Sequence, residues 1–290
     1  MAKSEVAGIL ALLVLGASGL VAEEAAPPSG PRREIHGSLG TAVNPLGLQN
    51  GADVLWRWPL SKSSHPLRSD AHLTLGLASR LSPAYERLGA FVEIAPLSVL
   101  DVRVGLEPVF YFGTFNSMLG FSGYDARFGD SARDELRAQG RATAGLAGRA
   151  YVAPTAKIKV GRLIARAHAE LEWWRAKQPG APFFYEPTRD TLLDARGDAM
   201  MTAETLVVYE LSRRPGHKVL AGPVHTLTRV YHAAPNEKQD LGLLAIVGLG
   251  RSRLGMTEPT LFAKVFWYLE DPYRRHRVGA QLALGFGLGR

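Results

Sequence analysis

The sequence contains no cysteine among its 290 residues. This absence excludes disulfide crosslinks, a thiol nucleophile, thiolate metal ligands and a lipoprotein anchor, since each of them needs a cysteine side chain. Runs of lysine and arginine are also lacking although the formal net charge is +7, so we expect no nucleic-acid partner. Helical stripes of apolar residues are almost absent, and only one apolar run is long. What remains to be interpreted is a glycine-rich chain with strand-like alternation.

The long apolar run, Val6–Ala22, follows Lys3 and is rich in small residues near its end. It is short for a membrane span, and the small residues lie where a signal peptidase requires them. We therefore predict a signal peptide over residues 1–22 rather than an uncleaved anchor. The acidic and proline-rich residues 23–34 are typical of a periplasmic linker, which leaves 35–290 as one domain.

The rest of the chain alternates between apolar and polar residues in segments that are separated by turn residues, a pattern that predicts strands. The predicted strands are 35–43, 51–59, 71–81, 86–95, 100–112, 141–152, 160–174, 199–211, 218–231, 240–250, 259–269 and 277–289. Their apolar faces carry smooth, medium-sized side chains, whereas the opposite faces mix charges with glycine and alanine. A soluble sandwich has no need of small residues on its wet face, but a crowded lumen does. We predict an all-β fold, a single transmembrane antiparallel β-barrel of about 12 strands.

Loop lengths and aromatic positions support the same fold. With the chain starting in the periplasm, most of the short connections fall on the periplasmic side, although 60–70 is longer than expected. The three most conspicuous polar loops, 113–140, 175–198 and 232–239, fall outside. Aromatic residues are predicted on the lipid face near the outer end (Phe112, Trp173 and Trp267) and near the inner end (Trp58, Tyr209 and Phe286).

Together the signal peptide, the alternating strands, the lack of cysteine and the apolar alternation of the last strand resemble a Gram-negative outer-membrane β-barrel protein. The resemblance is porin-like in architecture and rests on no motif of one particular family. It implies an outer-membrane location and contact with outer-membrane lipids. The expected function is a passive channel for small polar or anionic solutes. The alternative is a barrel without transport that anchors or forms part of an envelope-spanning complex for adhesion, export or motility.

The channel hypothesis rests on charged residues that the alternation places in the lumen. A slight basic excess there would favour anions, whereas charges that neutralise each other would indicate a plugged barrel. The predicted lumen residues are Arg57, Arg80, Glu93, Arg103, Glu107, Arg149, Arg162, Arg166, His168, Glu170, Arg229 and Lys264. Whether the loop 113–140 folds inward distinguishes the two cases.

Two patterns offer weaker chemical candidates. His36 and Ser38 are similar to the His-x-Ser arrangement of outer-membrane phospholipases and lipid A deacylases, in which the histidine activates the serine. The pair lies near the predicted periplasmic end, however, away from outer-leaflet lipid, and we expect no enzyme. His168 with Glu170 and Glu172 shares one strand face, but such a row is more often a polar ladder than a metal site. We therefore expect no metal and no cofactor.

Overall fold

The computed structural model of the protein describes residues 30–115, 118–177, 180–214, 217–232, 237–250 and 256–288. The predicted signal peptide and most of the predicted linker lie outside these residues. Among the described residues, no helix has the length and apolar character that a membrane span requires.

Twelve strands form one closed antiparallel sheet, which confirms the predicted barrel and its strand number. In barrel order from the first strand they are β1 (Arg32–Val43), β2 (Gly47–Pro59), β3 (His72–Leu81), β4 (Tyr85–Leu97), β5 (Leu100–Phe112), β7 (Ala144–Val160), β8 (Leu163–Lys177), β11 (Asp198–Arg214), β12 (His217–Val230), β13 (Glu237–Gly248), β14 (Met256–Glu270) and β15 (Val278–Leu288). The sheet closes between β1 and β15, where Ile35 lies opposite Leu288 and Val43 opposite Ala280.

Alternation along each strand separates an apolar exterior from a polar interior. Leu106, Leu243 and Val265 are exposed on the outside, and Leu243 reaches 69% exposure. Their neighbours on the other face, such as Glu107 and Lys264, are buried inside the barrel. This inside-out arrangement suits a sheet whose outer surface meets lipid and whose inner surface is polar.

Glycines on the inner face make room for aromatic rings. A Cβ at Gly76 would lie 2.1 Å from the ring of Phe91, which faces it on the next strand. In the same way Gly105 accommodates Tyr151. An arginine guanidinium lies over each ring. The Arg103 guanidinium is 4.1 Å from the centroid of the Phe91 ring, and the Arg149 guanidinium is 4.3 Å from the centroid of the Tyr151 ring. Glycine in these strands thus allows long side chains to fill the lumen.

The two longest connections between barrel strands contain further structure. They form a three-stranded sheet of β6 (Gly120–Phe121), β9 (Phe183–Glu186) and β10 (Thr191–Asp194), together with one helix, α1 (Asp130–Ala138). We call the loops 113–143 and 178–197 together the cap. The cap covers one end of the barrel, and the short turn 161–162 lies at the other end.

Candidate functional site

The centre of the lumen is occupied by an ion-pair network around Arg149. Its guanidinium lies 2.6 Å from a carboxylate oxygen of Glu107 and 2.7 Å from one of Glu172, and it also pairs with Glu170. Three different strands supply these carboxylates and the arginine. Arg149 is only 4% exposed and Glu172 only 1%, so this network lies in the barrel interior and is screened from water.

An arginine from the cap completes this network. Arg189 lies in the tight turn between β9 and β10, and its guanidinium is 2.8 Å from Glu172 and 3.2 Å from Glu170. The Trp174 indole also donates to Glu172, at 2.9 Å. The cap therefore reaches into the lumen and shares carboxylates with the barrel wall, as a plug does.

The neighbouring residue, Asp190, is the main link between the cap and the far side of the barrel. Its carboxylate lies 3.0 Å from Arg133 of α1 and 2.8 Å from Lys238 of β13, and it also pairs with Arg274. The Tyr185 hydroxyl donates to it at 2.5 Å. We call Asp190 with these three cations the cap latch, because it joins four segments that are distant in the sequence.

Electrostatics favour the ionised form of Asp190. Burial alone would raise the pKa of this carboxyl, but Lys238, Arg274 and Arg133 outweigh burial and hold its pKa well below its usual range. Correspondingly, the acidic partners of Arg274 raise the pKa of that guanidinium despite burial. Asp190 is thus ionised at neutral pH.

Local hydrogen bonds shape the turn that presents Arg189 and Asp190. The Glu186 carboxylate accepts from the Thr188 hydroxyl and from the Arg189 amide, each at 2.7 Å. Asp190 has a φ of 51°, the left-handed conformation that aspartate tolerates better than most residues. Burial raises the pKa of Glu186. The turn therefore sets the directions in which the Arg189 and Asp190 side chains leave the backbone.

Apolar packing seals the cap against the barrel mouth. Phe184 lies against the inward-facing Tyr111, with ring centroids 6.3 Å apart, and belongs to a buried cluster with Trp174 of β8. On the other side of the small sheet, Tyr185 packs with Phe128 in a second cluster. Burial of one such aromatic side chain stabilises the docked cap by about 1.5–3 kcal/mol.

Below the cap, several of the remaining lumen charges are also paired across strands. Arg80 lies 2.9 Å from Asp53, Arg166 lies 3.0 Å from Glu204, and Lys264 lies 2.7 Å from Asp240. Nearer the other end, Arg103 lies 2.6 Å from Glu93, which also faces His72 at 3.4 Å. Because these cations have carboxylate partners, the lumen has little basic excess to offer an anion.

A small polar cavity remains between the cap and Lys264. It has a volume of about 30 Å³ and is lined by residues that include Arg189, Thr226 and Gln281. A cavity needs roughly 10–15 Å³ to hold one water molecule, so this one has room for about two. The Gln281 amide has neither its nitrogen nor its oxygen bonded to another protein atom, and water in the cavity would satisfy both.

Most of the predicted lumen residues face inward. They are Arg57, Arg80, Glu93, Arg103, Glu107, Arg149, Arg166, His168, Glu170 and Lys264. Two residues were assigned wrongly. Arg162 is exposed in the turn at residues 161–162, because β8 begins at Leu163 rather than at the predicted residue 160. Arg229 faces outward and pairs at 3.9 Å with Glu237. Its strand carries apolar residues on both faces, so alternation did not define the inner one.

The predicted aromatic residues all lie on the outer face of the barrel. Near the capped end, Phe112, Trp173 and Trp267 are exposed. Toward the opposite end, Tyr209 is exposed, while Trp58 and Phe286 are partly covered by their neighbours. Aromatic residues near both ends of an apolar band are a general feature of barrels that span a membrane.

The weaker chemical candidates are not assembled into reactive groups. His36 and Ser38 both face inward at the end opposite the cap, but the side-chain partner of His36 is Glu34, at 3.2 Å. His168 faces the Thr155 hydroxyl at 2.9 Å. In the part of the chain that the structure describes, no group of three or more histidine, aspartate or glutamate side chains is placed to hold a metal ion.

Sequence reasoning missed the cap latch. It treated 113–140 and 175–198 as polar loops, although the segment at 183–194 contains two short apolar strands around a turn. That hairpin pattern is the feature of the sequence from which part of the cap could have been predicted. The latch partners Lys238 and Arg274 could not have been found, because only the folded barrel brings them to Asp190.

No protein-family model matches the sequence. No curated protein matches it either. Among solved structures, the β-domain of the Bordetella autotransporter Brka is similar with a TM-score of 0.42 at 12% identity, over 89% of this chain and 98% of that chain. The translocator domain of the autotransporter NalP from Neisseria meningitidis has a TM-score of 0.42 at 10% identity, over 96% and 94%. The toluene transporter TodX of Pseudomonas putida has a TM-score of 0.37 at 8% identity, over 99% and 95%.

The type of protein follows from the architecture itself. The sheet is closed and antiparallel, its outer face is an apolar band with aromatic residues near both ends, and its inner face is polar. The chain therefore has the architecture of a transmembrane β-barrel.

Proposed function

We propose that this protein is a closed barrel of the outer membrane, which anchors its cap at the cell surface and takes part in an envelope-spanning complex. The observation that carries the proposal is the filling of the lumen by the cap and by paired charges. Arg149 and Glu172 come from the neighbouring strands β7 and β8 and Lys264 comes from β14 across the barrel, and none of the three exceeds 4% exposure. A water-filled channel at this level would leave such side chains accessible.

The passive channel expected from the sequence finds less support. It required a slight excess of basic groups facing open water, but Arg166 and Lys264 are held by Glu204 and Asp240. Twelve strands enclose an interior between that of the filled eight-stranded barrels and that of the open porins, so either state is possible for the fold. Here the cap adds apolar packing and the latch to the wall contacts, which favours the filled state.

The orientation belongs to the same proposal. If the N-terminal strand starts in the periplasm, the cap faces outward, and the turns at the opposite end are periplasmic. A barrel of this kind offers a folded outer surface and a periplasmic rim while conducting no solute. Those two surfaces are what a component of an adhesion, export or motility complex needs.

Single-channel recording tests the proposal directly. The full chain is refolded, inserted into a planar bilayer and compared with the variant Arg189→Ala/Asp190→Ala, which removes the cap's arginine from the Arg149 network and the carboxylate at the centre of the cap latch. A matched control is Arg196→Ala, since Arg196 is also in the cap but pairs with Asp194 at the exposed surface. Slower gel migration after boiling verifies that each protein is a folded barrel.

We expect no conductance steps from the wild-type protein or from the control. Frequent open-channel steps from the wild-type protein would overturn the proposal and restore the passive channel. Steps that arise only when the latch is removed would support it, because they would show that the cap is what closes the lumen.

A further inference from the structure

Charge is distributed unevenly between the two ends of the barrel. In the loops of the capped end, 113–143, 178–197 and 271–277, nine Lys and Arg residues are nearly balanced by eight Asp and Glu residues. At the opposite end, where the connections are shorter, we count the described turns together with residues near the strand ends, and this set holds nine basic and five acidic residues. They are Arg32, Arg33, Arg57, Lys62, Arg68, Lys157, Lys159, Arg162 and Lys218, with Glu34, Asp70, Asp101, Glu210 and Glu258.

Five of these basic residues form what we call the basic rim: Arg33, Lys62, Arg68, Lys159 and Arg162. All five are exposed. Within the described residues, none of the five lies within 4.0 Å of a carboxylate oxygen, the distance that defines an ion pair. Among the residues that the structure describes, the positive charges of the rim are therefore not neutralised by direct ion pairs.

The turns that carry most of the rim are bonded to their neighbours. The Ser98 hydroxyl donates to the Pro66 carbonyl at 2.7 Å, which ties the loop 60–71 to the next turn. The Lys157 amide donates to the Val99 carbonyl at 2.9 Å, which ties that turn to the end of β7. The five residues thus belong to one arc of seven adjacent strands, from β1 to β8.

The depth of the rim is set by apolar neighbours on the lipid face. Lys159 is followed directly by Val160 and Arg162 by Leu163, and Val160 is 66% exposed. The guanidinium of Arg33 lies 5.9 Å from the ring of Trp56, which is also exposed on the outside. Basic side chains at the edge of an apolar band place their charges at the level of lipid headgroups.

We propose that the basic rim binds the headgroups of anionic phospholipids in the leaflet at this end of the barrel. An acidic soluble protein would account for the charge, but it would not account for exposed aliphatic and aromatic side chains interleaved with the charges. A lipid satisfies both, since its phosphate meets the cations and its acyl chains cover the apolar residues. The inference goes beyond the proposed function, because it holds whether or not the lumen conducts.

The test compares phospholipids on the full-length barrel. The protein is reconstituted with phosphatidylcholine alone or with phosphatidylcholine containing phosphatidylglycerol, and native mass spectrometry counts the lipids retained after detergent extraction. The variants are Arg33→Gln and Lys159→Gln/Arg162→Gln. The matched control is Arg127→Gln/Arg141→Gln, which removes two exposed charges from the capped end. Gel migration before and after boiling shows that each variant folds.

We expect selective retention of phosphatidylglycerol, weakened about fivefold for each rim charge removed and unchanged in the control. Rising salt should weaken it as well. Equal retention of the two lipids would overturn the inference, as would an equal loss in the control. Binding of a soluble polyglutamate peptide by the rim, without selectivity for phosphatidylglycerol, would overturn it in favour of an acidic protein partner.

Discussion

Replacing Asp190 by asparagine is the sharpest perturbation of the cap, because it removes one charge with almost no change in shape. The carboxylate is buried and pairs with Arg133, Lys238 and Arg274. Removing one partner of a buried ion pair costs about 3–5 kcal/mol, since the remaining charge stays buried. The substitution therefore leaves three cations with less compensation than they have now.

We expect the cost of the Asp190→Asn substitution to lie at the lower end of that range. Asp130 still pairs with Arg274 at 2.8 Å, and Asp271 lies 3.4 Å from Lys238, so each of these cations keeps one carboxylate. We expect the free energy of cap docking to fall by about 3 kcal/mol, which corresponds to a roughly hundredfold increase in the opened fraction. Barrel strands distant from the cap should be unaffected.

Hydrogen exchange of the full chain in detergent micelles, read by mass spectrometry, measures this change. We expect the amides of β9 and β10 to exchange about a hundredfold faster in Asp190→Asn. The matched control is Asp194→Asn, on the same hairpin, which loses an ion pair to the exposed Arg196 and should cost less than about 1 kcal/mol. Less than about a threefold acceleration in Asp190→Asn, or an equal one in the control, would refute the latch.

Acid should also open the cap. Because the pKa of Asp190 is lower in the folded protein than its unfolded value of about 4, its stabilisation is complete above that pH and is lost as the pH falls through the folded pKa. Hydrogen exchange of the hairpin should accelerate in that window, less so in Asp190→Asn, and an equal acceleration in both proteins would count against the assignment. Val265→Arg on the lipid face should destabilise the barrel by about 2–4 kcal/mol, measured by urea unfolding in vesicles, whereas a change below about 0.5 kcal/mol would contradict a lipid contact. Ser38→Ala should release the same amount of lipid from vesicles as the wild-type protein. If the wild-type protein hydrolysed lipid and the variant did not, the result would support a lipid hydrolase that uses Ser38.

The barrel could be predicted because the pattern that defines its strands lies within each short segment of the sequence. A period of two along each strand is enough to separate lipid-facing from lumen-facing residues, and it located eleven of the twelve strands to within four residues at each end. The exception is β7, which runs to Val160, eight residues beyond its predicted end at 152. The prediction was wrong where the period is lost. In β12, Leu220 and Val224 face inward while Val219 and Leu227 face outward, so Arg229 was placed on the wrong face.

The cap could not be predicted because the contacts that hold it join residues that are far apart in the sequence. Neither α1 nor the hairpin of β9 and β10 is long enough to be stable alone. The stability comes from contacts such as that of Asp190 with Lys238, which are separated by 48 residues in the sequence. Alternation identifies which charges point inward, but it gives no information on which loop will enter the lumen to meet them.

The order in which the chain is completed gives the latch another consequence. Asp190 precedes two of its partners in the sequence, since Lys238 lies in β13 and Arg274 lies in the loop between β14 and β15. A partly assembled barrel that lacks β13, β14 and the loop after β14 therefore leaves Asp190 with Arg133 as its one remaining partner among the three latch cations. Docking of the cap with a complete latch is therefore a late event in assembly. It requires the C-terminal strands to be in place.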